Sequence, residues 1–308
     1  MERLAGGDRV PESLRGGIIA LGNFDGFHVG HQAVVGRAVE IARAEGRPAI
    51  VATFDPHPVH YFRPEIPPFR LTTLDQRERL FAKAGADAML VFRFDETLAN
   101  VTAESFVRDW LVGQTGTTGV VTGQDFTFGK GRRGSVDTLQ TIGATLDMVC
   151  ETVGAIVDAD GAISSSRIRS ALQDGDCRTA TCLLTRPFAV MNTVQHGAKV
   201  GRELGFPTAN IEMGDYLRPR YGIYAIRGRL PDGRVLDGVA NLGIRPSFDP
   251  PKELLEPYFF DFEGDLYGVE VEVDLIEFIR GEAKYDDLES LKVQIAADCE
   301  AAKAILRA

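Results

Sequence analysis

Two of the chain's five histidines stand three residues apart in "GNFDGFHVGH", Gly22 to His31, beside an aspartate and among glycines. Imidazole N–H groups at His28 and His31 could donate to phosphate oxygens that gain charge in a transition state. Gly26 and Gly30 would let backbone approach such a ligand closely. His57 and His60 repeat the spacing, so a metal is an alternative reading; zinc needs three or four defined ligands, however, and no consistent third follows. Unrelated core histidines are a second alternative. "ISSSRIRSAL" offers hydroxyls and an arginine fork, suited to an anion or to a helix N-cap followed by solvated arginines. Those two readings are compatible, since a capped helix start is itself an anion site.

Further along, "HGAKVGRELGFPTAN", His196 to Asn210, reads either as a Gly-rich connection between strands or as a functional loop. Loops longer than about a dozen residues inside compact domains are usually functional. This one ends in Thr208 and Asn210, oxygen ligands suited to magnesium. In "LLEPYFFDFEGDLYG" a carboxylate could take the proton of an alcohol. It could equally be an acid on a barrel edge, where Pro257 removes a backbone donor. Spacing alone does not separate Glu256 from Glu253 or Asp261.

The elements that must position these groups follow from periodicity. "GIIALGNF", "AIVATFD", "AMLVFRFD" and "GVVTGQDF" read as strands, and "HQAVVGRAVEIARAEG", "TLDQRERLFAKAGA" and "AESFVRDWLVGQ" as helices. In the first of these helices Val34, Val35, Ala38, Ile41 and Ala42 share one face. Strands alternating with helices imply parallel pairing, hence a doubly wound, Rossmann-like α/β sheet with ligands beyond the C-terminal strand ends. "NFDGFHVGH", "TFDPHP" and "GQDFTFGKGRRG" fall at those ends. A helical pair, "SSRIRSALQDG" and "CRTATCLL", then leads to short strands. "GIYAIRGRL" and "RVLDGVANLG" flank a "PDG" turn. "VEVEVDLIEF" turns Val269, Val271, Val273 and Leu275 inward and its acids to water. Leu288, Leu291, Ile295, Cys299, Ala302 and Leu306 define an amphipathic C-terminal helix. The expected architecture is an N-terminal domain over 1–185 and a six-stranded antiparallel β-barrel with a C-terminal helix over 186–308.

Composition limits what such a chain does. At 308 residues with 44% hydrophobic and 25% charged residues, it is long enough for two cores without staples. A net charge of −10 disfavours a general nucleic-acid or anionic-membrane surface. The N-terminus has no signal-peptide apolar core and no segment reaches membrane-span length, so the expected location is cytoplasmic. Cys150, Cys177, Cys182 and Cys299 contain no CxxC pair and read as reduced, mostly buried thiols.

"GNFDGFHVGH" resembles the HxGH nucleotidyltransferase signature as used by FMN adenylyltransferases, and "ISSSRIRSAL" is similar to that superfamily's second signature. The resemblance implies that His28, His31, Ser165, Ser166 and Arg169 hold the ATP triphosphate while FMN phosphate attacks the α-phosphorus. It further implies nucleotide contacts from Gly22, Phe24, Asp25 and Gly30, and flavin contacts from Asn23, Phe54, Pro56, His57, Asp125 and Phe128. "HGAKVGRELGFPTAN" is similar to the riboflavin kinase signature. By that resemblance Thr208 and Asn210 hold the metal of Mg-ATP, and His196, Gly197, Lys199, Gly201, Arg202, Gly205, Phe206 and Pro207 surround the nucleotide. Glu256 aligns with the family's catalytic glutamate, and Arg280 and Glu282 with flavin contacts. Together these stretches resemble the bifunctional riboflavin kinase/FMN adenylyltransferase family, the bacterial FAD synthetases, over almost the whole chain.

That family implies Mg2+ for both activities, ATP as co-substrate, and riboflavin, FMN and FAD as substrates and products. Partners are then small molecules, with no nucleic acid and no membrane; weak self-association is left open. Ser166 and Ser247 stand where threonine is usual, Tyr258 where histidine is common, and Asn192 where a glycine often stands. The serines keep the hydroxyl. Two other classes compete: a single-activity nucleotidyltransferase, which would lose Thr208, Asn210 or Glu256, and a non-catalytic flavin-binding regulator, which would need an output element that an acidic chain does not offer.

Overall fold

The computed structural model describes residues 1–7, 9–196, 205–245, 252–285 and 287–307. The chain divides into two compact units, residues 1–66 with 74–164, and residues 67–73 with 165–308.

In the first unit, β1 (Glu2–Ala5), β2 (Ile18–Leu21), β3 (Ala49–Asp55), β4 (Ala88–Arg93), β5 (Gly119–Gly123) and β6 (Val149–Val153) form a sheet ordered β1-β4-β3-β2-β5-β6. Every pair in it is parallel. Connections are made by α1 (Val29–Ala44), α2 (Pro58–Phe62), α3 (Leu74–Lys83), α4 (Glu96–Ala99), α5 (Ala103–Ser105) and α6 (Val136–Ala144). The strands read as unbroken apolar runs because both faces are covered. Ile18, Ala20, Val51, Met89 and Val121 pack with Val34, Val35, Ala38 and Ala42 of α1 and Phe81 of α3. Ile19, Leu21, Ile50, Leu90 and Val120 turn to the opposite core with Phe106, Val107, Leu111 and Leu139. The doubly wound expectation therefore holds. Strand order reverses between β2 and β5, and ligand crevices form beyond the strand ends at such a switch point.

The helix expected over "AESFVRDWLVGQ" starts as α5, capped by the Thr102 hydroxyl, and becomes π-wound over Phe106–Gly113. β1, α2, α6 and β6 were not legible in advance, nor was a small hairpin of β7 (Val157–Asp158) and β8 (Gly161–Ala162).

The second unit begins with α7 (Ser165–Asp174) and α8 (Cys177–Leu184). β9 (Phe188–Thr193), β10 (Ile211–Glu212), β11 (Gly222–Arg229), β12 (Val235–Arg245), β13 (Lys252–Phe259) and β14 (Glu270–Arg280) follow in the antiparallel order β10-β13-β12-β11-β14-β9. The two sheet ends meet. Gln195 bridges Asn210 and donates to its carbonyl at 2.8 Å, and the Asn192 amide donates to the Glu212 carbonyl at 3.0 Å. α9 (Leu288–Arg307) closes one face by packing Cys299, Ala302 and Leu306 on Ala225 and Val239.

Three expectations need correction. The acids of β14 do not all face water: Asp274 is 3% exposed, because β14 is an inner strand and Arg229 on β11 covers the carboxylate, Nη2 to Oδ1 2.7 Å. Leu288 is 61% exposed at the start of α9 rather than part of its apolar face. All four thiols are free, but Cys182 is exposed. Burial pushes the Cys177 thiol up to about 12 and those of Cys150 and Cys299 up to about 11.

Candidate active sites

The turn after β2 carries the first histidine pair. His28 is the N-cap of α1, its Nδ1 accepting from the backbone N–H of Gly30 at 3.1 Å and of His31 at 3.4 Å. An acceptor at Nδ1 places the proton of the neutral ring on Nε2, which makes Nε2 the donor. The His28 and His31 rings stack at 3.7 Å and 21°, and Phe24 stands edge-on to His31 at 5.3 Å. A Cβ on Gly30 would stand 3.1 Å from His28 Cε1, so glycine is what lets this ring lie flat over the helix start. Parallel stacking with one nitrogen spent on capping suits two donors side by side better than two nitrogens converging on a metal.

Behind this turn, Phe24 folds its ring over Gly22, and Asp25 and His28 are 3% and 5% exposed. The turn is fastened by Arg77 of α3, a residue that sequence reasoning missed. Its Nη1 donates to the Asn23 carbonyl and to Thr53 Oγ1, each at 3.0 Å, and Thr53 Oγ1 donates to the same carbonyl at 2.9 Å. A basic residue on the buried side of an amphipathic helix was the only available signal. Asn23 Oδ1 is buried and has no hydrogen-bond partner among the described residues.

The expected flavin-side residues gather at the ends of β3 and β5. Phe54 and Phe128 both pack on Phe106, at 6.3 and 5.7 Å between centroids. Pro56 follows a cis bond, His57 caps α2 by accepting from Val59 N–H at 3.2 Å, and Asp125 is exposed just past β5. In the second unit Ser165 and Ser166 open α7. Arg169 donates from Nε to the Phe69 carbonyl at 2.8 Å and lies over that residue's ring, which fixes its guanidinium.

The barrel brings the second set of residues together. Ile211 and Glu212 pair with Leu255 and Leu254, and the same register continues backward because Ala209 N–H donates to the Pro257 carbonyl at 2.9 Å. Asn210 thus stands opposite Glu256, with Thr208 two residues along on the same side. On the other side Glu256 pairs with Asn241 of β12, whose Nδ2 lies 3.4 Å from Glu256 Oε2. Phe206 packs edge-on to Tyr258 at 5.5 Å, and the exposed His196 stacks on Tyr267 at 3.8 Å. Gly205 sits in a left-handed turn and Pro207 is exposed; Gly197, Lys199, Gly201, Arg202 and Ser247 lie outside the described residues.

Glu253, three residues before Glu256, is engaged by two named side chains. Burial alone would raise its carboxyl, but the Tyr221 hydroxyl and the Arg218 guanidinium, Nε to Oε2 2.7 Å, outweigh burial and hold it below the usual carboxylate range. Arg280 is committed to Asp298 of α9 through a bidentate pair at 2.8 and 2.6 Å. The Glu282 carboxylate lies against Gly243, where a Cβ would come within 2.1 Å of Oε1.

A His-capped helix start at the switch point of a parallel sheet suits a nucleotidyltransferase, and an antiparallel barrel with a carboxylate between two asparagines suits a flavin kinase. Family profiles agree: one described as FAD synthetase matches residues 10–167 and one described as riboflavin kinase matches 184–306. Proteins described as bifunctional riboflavin kinase/FMN adenylyltransferase are 36% identical in Haemophilus influenzae (99% of each chain covered) and 36% identical in Bacillus subtilis (94% of this chain, 92% of the relative). The Escherichia coli K12 protein of that description is 37% identical over 92% of this chain and 90% of its own. A crystal structure described as a macrolide-efflux protein from Streptococcus pneumoniae superposes with a TM-score of 0.87 at 28% identity, covering 98% of this chain and 99% of its own. Among the described residues no helix is long and apolar enough to cross a membrane.

The chain belongs to the bifunctional riboflavin kinase/FMN adenylyltransferase family. Its two activities are phosphorylation of riboflavin to FMN and adenylylation of FMN to FAD.

Proposed function

We propose that the row Asn210–Glu256–Asn241 is the centre of the kinase reaction, with Glu256 as the base. The observation that carries this reading is the Ala209 N–H to Pro257 carbonyl bond, which sets Thr208 and Asn210 alongside Glu256. Glu256 accepts the proton of the riboflavin 5′-hydroxyl as its oxygen bonds to the γ-phosphorus of ATP, and the bond to the β-phosphate oxygen breaks to release ADP. The Thr208 hydroxyl and the Asn210 side-chain carbonyl are hard oxygen donors that would hold Mg2+, which would supply neutralisation of the ATP phosphates. His196, Gly205, Phe206 and Pro207 flank the nucleotide, and Arg280 and Glu282 contact the flavin, on the strength of the signature resemblance.

For adenylyl transfer, an FMN phosphate oxygen bonds to the α-phosphorus of a second ATP and pyrophosphate leaves. We assign His28 Nε2–H and His31 to the phosphate oxygens that gain charge. Ser165, Ser166 and Arg169 join them by signature resemblance alone, as do Gly22, Phe24, Asp25 and Gly30 toward ATP. Asn23, Phe54, Pro56, His57, Asp125 and Phe128 are assigned to the flavin; the buried Asn23 Oδ1 is an acceptor of the kind a flavin imide N–H needs. By the family resemblance this step would use Mg2+ as well. We place the functional seam between residues 185 and 186, a reading supported by family matches that end at 167 and resume at 184. We read the protein as cytoplasmic and acting on small molecules; the net charge of −10 disfavours nucleic-acid and anionic-membrane partners.

The test is a pair of full-length variants assayed for each activity separately. Glu256→Gln should slow riboflavin phosphorylation by about 10²- to 10⁴-fold and leave adenylylation of supplied FMN intact; His31→Ala should do the reverse. Loss of both activities in either variant would refute the assignment.

A further inference from the structure

Asn241 is the one member of the barrel row for which neither the signatures nor the kinase chemistry above supplies a role. Cross-strand register sets it between Ile223 of β11 and Glu256 of β13. Its Nδ2 lies 3.4 Å from Glu256 Oε2, while its Oδ1 is buried without a hydrogen-bond partner among the described residues. A side chain kept for stability would not look like this. A buried acceptor left unpaired costs folding free energy, whereas an apolar group of the same shape would fill the place without that penalty. Along the same strand face, Val239 is packed into the apolar cluster under α9, and Gly243 has no side chain at all.

We propose that Asn241 is a positioning residue for riboflavin phosphorylation: its amide N–H holds Oε2 of Glu256, so that the carboxylate plane is fixed and Oε1 is turned to the hydroxyl it deprotonates. The inference rests on the reading of Glu256 as the base. The terminal torsion of a glutamate is broad and roughly two-fold, so a carboxylate on a strand is not oriented by its own rotamer. A donor on one oxygen removes that freedom. Directly opposed residues of an antiparallel pair have Cβ atoms about 5 Å apart, within reach of an asparagine amide. An aspartate in its place would set a second carboxylate against the first.

The experiment uses the full-length protein and three variants, Asn241→Leu, Asn241→Asp and Glu256→Gln. Melting temperature, and kcat and KM for riboflavin, are measured, with FMN adenylylation as an internal check of folding. Asn241→Leu should melt no lower than the parent, keep its KM for riboflavin, and lose kcat by up to about 10²-fold, the scale of a misplaced reacting group. Asn241→Asp, which sets a second carboxylate against the first and offers it no donor, should likewise lose kcat while keeping its KM for riboflavin. The isosteric Asn241→Asp keeps the test decisive should the leucine variant fail to fold. If Asn241→Asp retains the parent's kcat while Glu256→Gln is inactive, Asn241 does not position the base. A raised KM with unchanged kcat would likewise overturn the proposal. Should Glu256→Gln remain active, the base assignment itself is wrong.

Discussion

Replacing His28 by asparagine would retain the role of one ring nitrogen and delete that of the other. The Oδ1 of asparagine occupies roughly the place of imidazole Nδ1, and asparagine is among the best N-caps, so the bonds from Gly30 and His31 N–H should survive. No asparagine atom reaches the position of Nε2. Losing one donor to charge that develops in the transition state costs about 3–4 kcal/mol, or roughly 10²- to 10³-fold in rate. On the stability side, the variant forfeits the face-to-face contact with His31 at 3.7 Å, and aromatic pairs are worth about 1 kcal/mol. That corresponds to a drop of about 2–4 °C in melting temperature for a unit of this size. His28→Ala loses the cap as well, about 1 kcal/mol more. His28→Gln is the complement, carrying an amide donor out to the Nε2 position while giving up the cap.

The assay supplies FMN and ATP and follows FAD chromatographically, with riboflavin phosphorylation in the same preparation as the control. The expected order of adenylylation is parent, then His28→Gln, then His28→Asn and His28→Ala together. The expected order of stability puts His28→Asn above His28→Ala. Parent-like adenylylation by His28→Asn would refute the reasoning, since the Nε2 donor would then be dispensable. So would His28→Gln falling below His28→Asn.

Gly243→Ala should push the Glu282 carboxylate off its backbone seat, raising the riboflavin KM of the kinase by about tenfold, or ~1.4 kcal/mol, with adenylylation unaltered; an unchanged KM would separate Glu282 from flavin binding. Thr122 in β5 is fully buried and its hydroxyl has no partner among the described residues. Thr122→Val should therefore leave stability equal or raise it by up to about 1 kcal/mol in denaturant unfolding, and a clear loss would reveal a bond to that hydroxyl. Burial pushes Asp274 up to about 6 from an ordinary 3.8, against the pull of Arg229. The folded protein thus binds this proton more tightly than the unfolded chain. Its stabilising effect is complete below the unfolded value and is lost as pH rises through about 6. The stability of the parent relative to Asp274→Asn should fall across that window by on the order of 2–3 kcal/mol; a flat difference between the two would show that the proton is not linked to folding.

Elements long enough to show a period were legible in the sequence. α1 announced its buried face at Val34, Val35, Ala38 and Ala42, and the inner strands of the parallel sheet announced themselves as apolar runs. β1 was not legible, because an exposed edge strand of four residues, "ERLA", carries neither a run nor an alternation. α2 has five residues and no buried one, so nothing in its composition marks a helix beyond Pro58 at its start. The alternation of β14 gave its faces correctly for Val271, Val273 and Leu275 but misplaced Asp274. Alternation along one strand is silent about what the neighbouring strand lays over each face, and here that was Arg229.

The same silence explains why the barrel site needed the fold. Glu253 and Glu256 are three residues apart in one strand, so they point to opposite faces, and either could be a base as far as spacing goes. Pairing separates them. Glu253 falls beside Arg218 and Tyr221 and is held as an ion-paired carboxylate, while Glu256 falls between Asn210 and Asn241. A one-residue slip between β10 and β13 would bring Ala209 or Ile211 opposite Glu256 and turn Asn210 to the other face, although no motif in the sequence would have changed. The hydrogen bond from Ala209 to Pro257 and the Ile211 and Leu255 pair fix that register. The row Asn210–Glu256–Asn241 is therefore a property of three strands in alignment. Asn241 could be recognised only there: as an amide in "GVANLG" it interrupts an apolar strand, and its partner lies fifteen residues away in the sequence and 3.4 Å away in space.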